Sequence, residues 1–301
     1  MLNIPICLDN SIFLTTFAPF KTKQLKTTSS TMFNNTFSLK KAYNQVGVTY
    51  LGSVGQSMKM RLSLEHNVAT YCIYLAPSNL SGYKVCPNDK YCKQFCLNGS
   101  GQNKADVLSR GEQHSLINQS RIKKTRLFYQ NRDLFMQIMI KEIELAKERA
   151  RKNNMEFSVR INGTSDLSPL LFKYEGKNIL EWFPDVMFYD YTKVPNRFKL
   201  LNQYKNYDLT FSFNGYNWTD CDDFLKKGGK VAVVFDTDTL PTSYRGYRVV
   251  DANSYDMRYK DDKGTIMGLH YHKVANNYKN GHYEAPDTPF VVKPTDDSVE
   301  F

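Results

Sequence analysis

The chain has 301 residues, a formal net charge of +10, and 41% hydrophobic and 14% aromatic residues. This composition excludes a disordered or fibrous protein, and the length is enough to bury a core without covalent staples. No apolar run approaches the roughly 20 residues that span a bilayer, so no membrane partner is expected, while the cationic excess favours anionic partners such as nucleic acid.

Residues 1–45 read as a loosely ordered N-terminal segment. Thr27-Thr28-Ser29-Ser30-Thr31 and Asn34-Asn35-Thr36 are polar and turn-like. The stretch Ile12-Phe13-Leu14 is short, interrupted by Thr15 and Thr16, and has no basic flank. It is therefore not read as a secretory signal, and a cytosolic protein is expected. That compartment disfavours structural disulfides and directs clustered cysteines towards metal or redox roles.

Residues 58–64 alternate in a way that suggests a strand, and residues 68–75 read as a second strand, ended by Ala76-Pro77. The cysteine-bearing segment follows. Val107, Leu108, Leu116 and Ile117 then carry helical spacings within 105–129. Asn131 is a candidate N-cap for a long helix from Arg132 to Lys152, with Phe135, Ile138, Met139 and Ile143 on one face. Beyond it, apolar strands at 157–161, 186–189, 209–213, 231–235, 248–250 and 266–269 alternate with helices at 179–183, 197–204 and 222–227. Gly228-Gly229 is a helix stop before the strand that follows. This alternation predicts an α/β fold with parallel strands and crossover helices. The count predicts a complete or partial (β/α) barrel, TIM-like, over residues 46–275. It has an N-terminal extension and a C-terminal tail at 276–301.

The later strands end in polar residues. Ile161 leads into Asn162-Gly163-Thr164-Ser165-Asp166, Phe188 into Asp190, Thr192 and Lys193, and Phe211 into Ser212 and Asn214. Phe235 is followed by Asp236 and Asp238, and Val250 by Asp251. Taken singly, such residues make turns and caps. Their recurrence at the strand ends that carry active sites in α/β barrels points to a shared polar mouth. Asp166, Asp190 and Lys193 are the candidate catalytic residues. Asn162, Thr164, Ser212 and Asn214 are candidates for binding a cofactor. Lys193 and Arg160 suit a carboxylate or phosphate. Asp166, Asp190 and Asp236 alternatively suggest a carboxylate set for a divalent metal in a cofactor-free hydrolase.

Cys86, Cys92 and Cys96 have the spacing C-x5-C-x3-C. Thiolates this close can converge on one metal or cluster. Lys84, Lys90 and Lys93 offset part of their charge. A closed structural zinc site takes four ligands, which Cys72 or a histidine would have to complete. Three cysteines alone leave one iron of a cubane cluster open. Spacing by itself weighs zinc and iron–sulfur equally, and the position after a strand of the barrel-like series favours iron–sulfur. Cys7 and Cys221 are isolated and read as ordinary thiols. His270-x-His272 is a further candidate ligand pair or an exposed strand edge. Arg121-Ile122-Lys123-Lys124-Thr125-Arg126 is a basic run that suggests nucleic-acid contact or a solvated helix face.

The order of several blocks resembles the bacteriophage gene product 88 family. These are Leu75-Ala76-Pro77, Ser81-Gly82-Tyr83, Cys86-Pro87, Cys92, Cys96-Leu97, Arg160 through Asp166, Pro184-Asp185-Val186, Phe188 through Lys193 and Leu209 through Ser212. The likeness continues through Val231 to Phe235, Leu240-Pro241, Asp251 and Gly268-Leu269, over roughly residues 45 to 275. It implies a phage or mobile-element protein in the cytoplasm of a bacterial host, and the family implies no reaction. A more distant likeness is to radical SAM enzymes, which also place three cysteines after the first strand of a partial (β/α) barrel. It implies a [4Fe-4S] cluster on Cys86, Cys92 and Cys96, S-adenosylmethionine on the open iron, and Asn162, Thr164 and Asp166 at the rim. The spacing here is wider than the usual C-x3-C-x2-C, and no clear Gly-Gly-Glu follows. The alternative is a basic nucleic-acid-associated phage factor with a structural zinc site.

Overall fold

Ser38 accepts a hydrogen bond from the Lys41 N–H at 3.4 Å and so caps the first described helix, α1 (Leu39–Val46). Gly47 ends that helix in the left-handed region at φ 66. The computed structural model describes residues 37–301, and the expectation for residues 1–36 lies outside them. Strand β1 (Gly52–Val54) is followed by α2 (Met58–Glu65), capped by Ser57. Residues 58–64 thus form a helix rather than the strand suggested by their alternation. A run this short fits both periods, and the Ser57 cap decides it.

The buried strand β2 (Val68–Ile73) leads into the cysteine segment and then to α3 (Gln102–Arg110) and α4 (Leu116–Gln130). The helical signal at 105–129 therefore belongs to two helices, divided at Gly111, whose φ is 80. Asn131 caps α5 (Arg132–Lys152) as predicted, accepting from Leu134 N–H at 3.2 Å. Phe135, Ile138, Met139 and Ile143 are fully buried. Next come β3 (Glu156–Arg160), a short hairpin at 173–178, α6 (Ile179–Trp182), β4 (Met187–Thr192) and α7 (Leu200–Gln203). They are followed by β5 (Tyr207–Ser212), α8 (Trp218–Lys226) and β6 (Lys230–Phe235). The remaining strands of the main sheet are β7 (Ser243–Tyr244), β8 (Tyr247–Asp251), β9 (Ile266–His270), β10 (Val291–Val292) and β11 (Val299–Glu300).

These make one 11-stranded sheet in the order β1-β2-β3-β4-β5-β6-β9-β8-β7-β11, with β10 also paired to β6. From β2 to β8 every neighbouring pair along that path is parallel. Each strand from β2 to β6 lies beside the one before it, without the reversal of strand order that marks a doubly wound sheet. Among the described residues the pairing path ends at β1 and β11, and no pairing between them closes it into a ring. The segment read as a C-terminal tail supplies β10 and β11.

Burial differs between the two faces. Phe211, Val231, Val233 and Ile266 pack with Phe224 and Leu225 of α8 in one apolar cluster. The opposite face holds polar groups: Thr70 bonds Ser158 at 2.9 Å, Arg160 pairs with Asp256 at 2.6 Å, and Lys230 pairs with Asp208 at 2.8 Å. The loop after β8 covers that face, placing Asp256 and the fully buried Arg258 over it. Of these strands β6 is buried along nearly its whole length, so residues 231–235 read as a continuous apolar run.

Candidate functional site

The cysteine segment lies across the C-terminal ends of β2, β3 and β4. Two backbone bonds hold its entry, Val85 N–H to Ser78 O at 2.8 Å and Asp166 N–H to Val85 O at 2.9 Å, and Gly163 N–H to Ile73 O at 2.8 Å joins the ends of β2 and β3 beneath it. Asn88 Nδ2 donates to Lys193 O at 2.6 Å, adding the end of β4. A Cβ on Gly163 would stand 2.8 Å from Ile73 O and 2.6 Å from the Tyr74 ring, so only glycine allows this approach. Inside the loop, Asp89 is buried, pairs with Lys84 at 2.5 Å and accepts from the Ser78 hydroxyl.

Cys86, Cys92 and Cys96 all belong to this segment. Ser78 N–H donates to Cys86 Sγ at 3.4 Å, and Asn98 N–H donates to Cys96 Sγ at 3.5 Å. Cys86 reaches Thr164 O at 3.9 Å, and Cys92 reaches Asp89 O at 3.9 Å. Burial pushes the Cys86 thiol up to about 12, and the charges of Cys96, Asp166 and Cys92 add to that rise. Burial likewise pushes Cys96 up to about 11, with Cys92 adding and Arg121 opposing. The cysteines thus sit within electrostatic reach of one another. All of Cys72, Cys86, Cys92, Cys96 and Cys221 are free thiols. Cys72 is buried on the strand itself, where burial pushes its thiol up to about 12 against the pull of Arg160.

Among the described residues, no group of three or more His, Cys, Asp or Glu side chains is placed so that it could hold a metal ion. By residue type alone, three thiols in one segment are soft donors of the kind that thiophilic metals take. Cys86 and Cys96 each receive a backbone N–H group, and the Arg121 guanidinium acts on Cys96, one of those two. Asp166, Asp190 and Asp236 do not form one carboxylate set.

The strand-end polar residues fall into separate roles. Asp166 accepts from the Thr192 hydroxyl at 2.7 Å and Lys193 N–H at 3.0 Å, and pairs with buried Arg197 at 2.9 Å. Asn162 bonds Leu167 O at 2.8 Å and Asp190 Oδ2 at 2.9 Å. Asp190 is fully buried, and its Oδ1 has no partner among the described residues. Burial pushes its carboxyl up to about 7, against the pull of Arg197 and Asn162. Thr164 donates to Leu75 O at 2.5 Å. Asn214 accepts from Tyr216 and Asn217 N–H groups, shaping the turn before α8. Ser212 is buried at the end of β5. The Lys193 ammonium lies 5.6 Å from the Phe290 ring centroid. Asn162, Asp166 and Asp190 thus converge on one another behind the cysteine loop, while Lys193 faces the C-terminal segment. His270 Nδ1 sits 2.9 Å from Thr237 O, away from the thiols.

Two contributors were not legible as site residues. Asn98 follows the last cysteine, and its N–H aims at Cys96. Arg121 lies in the basic run but turns inward, donating to Asn98 and lying 5.2 Å from the Tyr74 ring centroid. Lys124 from the same run is also buried, 4.2 Å from the Tyr50 ring centroid, and burial pushes it down to about 8. Arg126 and Lys123 bond the carbonyls of Ser81 and Gly47. The run is therefore not an open cationic stripe. The signal for this was the interleaving of Ile122 and Thr125, which puts the apolar face through the charges.

Fold and loop together define a mixed α/β protein with a mostly parallel sheet and a three-thiol loop at its strand ends. The gene product 88 family model matches residues 31–284, and the chain belongs to that family. No curated protein and no solved structure matches the chain. Among the described residues no helix is long and apolar enough to cross a membrane.

Proposed function

We propose that this is an iron–sulfur protein of radical-SAM-like design, built on an open, partial barrel. What supports the reading is the placement of Cys86, Cys92 and Cys96 in one segment at the C-terminal ends of parallel strands, with backbone N–H groups directed at two of the sulfurs. Those cysteines would hold a [4Fe-4S] cluster through three irons, leaving the fourth iron for an exchangeable ligand such as S-adenosylmethionine. Ser78 and Asn98 would donate to the ligand sulfurs, and Arg121 would offset thiolate charge. Burial keeps the thiols protonated when free, so metal loading would release protons.

The neighbouring chain positions divide the remaining work. Lys193 supplies a cation for a carboxylate or phosphate on a bound ligand. Asn162, Asp166 and Asp190 fix the rim on which Lys193 stands. Zinc is the competing occupant, and it would need a fourth donor in addition to the three loop thiols.

Anaerobic reconstitution with iron and sulfide separates the readings. The expected result is a brown protein with iron and sulfide in near-equal amounts and a reducible cluster signal by electron paramagnetic resonance. A colourless protein that retains only zinc overturns it.

A further inference from the structure

The segment that carries the cysteines has a second, outward face. Cys92 and Phe95 turn inward against Phe290, while Lys90 and Lys93 are exposed. Tyr91 meets Tyr216, from the loop after β5, with ring centroids 4.1 Å apart and planes inclined at 36°. Tyr216 is 61% exposed, so part of its ring stays open to solvent beside Tyr91. The Lys90 ammonium stands 5.0 Å from the Tyr91 centroid. These groups line a cleft of about 460 Å³ whose far wall is Asp287-Thr288-Pro289.

The same three residues wall a second cleft of about 470 Å³, lined by Arg245, Tyr244 and Lys293. There the Arg245 guanidinium lies 4.7 Å from the Trp218 ring centroid and 5.4 Å from that of Tyr244. The wall is fixed in place. β10 pairs with β6, and Gly215 packs so closely that a Cβ would stand 2.7 Å from Phe290 N. The paired clefts therefore combine aromatic surfaces with four cations, Lys90, Lys93, Arg245 and Lys293, against the carboxylates of Asp287 and Asp296.

We propose that these clefts form one groove for a single-stranded nucleic acid, with bases stacking on Tyr216 and Tyr91 and phosphates meeting the four cations. Exposed ring faces beside flexible cations recognise unpaired bases along a charged backbone, and a duplex hides the base faces that such rings need. Two clefts sharing a wall favour a strand over a single nucleotide. The chain's net charge of +10 acts in the same direction. This groove stands independently of what the thiols hold.

The test is fluorescence anisotropy with the full chain and a labelled oligothymidylate of about 20 nucleotides, a length that covers more than one binding site of this kind. Binding should favour the single strand over a duplex of the same length and weaken steeply as salt is raised. Tyr216→Ala should weaken it about tenfold or more, the loss expected for one stacked base, and Tyr216→Phe should restore it. Lys90→Glu with Lys93→Glu should weaken it and flatten the salt slope, whereas Lys40→Glu with Lys41→Glu on α1 should not match that loss. Circular dichroism establishes that each variant is folded. Absence of binding at low salt, preference for duplex, or wild-type affinity of folded Tyr216→Ala overturns the proposal.

Discussion

Asp166 Oδ1 lies 2.9 Å from Arg197 Nη2, with both side chains largely withdrawn from solvent. The same carboxylate accepts from Thr192 and from the Lys193 backbone, so one aspartate ties the loop after β3 to the end of β4. Asp166→Ala leaves the Arg197 charge buried without its partner. The expected loss is about 3–5 kcal/mol of stability, measured by urea unfolding. A loss under about 1 kcal/mol, typical of an exposed pair, would show that the pair does not hold this corner.

Asp190 gives stability a pH dependence. Its folded carboxyl is raised from 3.8 to about 7 by burial, so the folded state binds this proton more tightly than the unfolded chain. The contribution is greatest below the unfolded value, declines as pH rises from about 4 to about 7, and is flat above that. Its full size is on the order of a few kcal/mol. Asp190→Asn keeps an oxygen for Asn162 and removes the ionisation. Urea midpoints between about pH 5 and 8 should therefore fall less in this variant than in the wild type. Equal slopes would assign the titration to another group.

Gly215 and Gly82 separate backbone strain from contact. Both lie in the left-handed region, at φ 95 and φ 90, but a Cβ on Gly215 meets Phe290 N at 2.7 Å while one on Gly82 meets nothing within 4 Å. Gly82→Ala should cost about 1 kcal/mol from conformation alone. Gly215→Ala adds the displacement of the β10 segment, for a further 1–3 kcal/mol or about that. Equal denaturation midpoints for the two variants would mean that the segment yields freely.

Single Cys→Ser substitutions test which thiols act together. Replacing Cys86, Cys92 or Cys96 should sharply reduce the iron and sulfide bound after anaerobic reconstitution. Cys72→Ser and Cys221→Ser should leave both near wild-type levels, because those thiols are buried on β2 and α8, away from the loop. Iron retention in any loop variant would remove that cysteine from the ligand set.

The sequence carried the repeating strand and helix order because buried strands leave short runs rich in apolar residues and packed helices a 3.6-residue period. The Asn131 cap of α5 was equally legible, since it rests on neighbours within one turn. The three cysteines and the family blocks were also local patterns. Residues 58–64 misread as a strand because seven residues satisfy either period, and the cap that settles the matter precedes them. The roles of the polar strand ends were out of reach for a different reason. Asp166, Asp190 and Lys193 look alike as polar residues after a strand, and only the partners that folding brings to them separate a clamp, a buried acid and an outward cation. The inward turn of Arg121, the meeting of Tyr91 with Tyr216 and the return of residues 291–292 to β6 join segments distant in the chain. Short-range pattern fixes which residues can form an element, whereas burial and long-range contact decide what each exposed or buried charge is left to do.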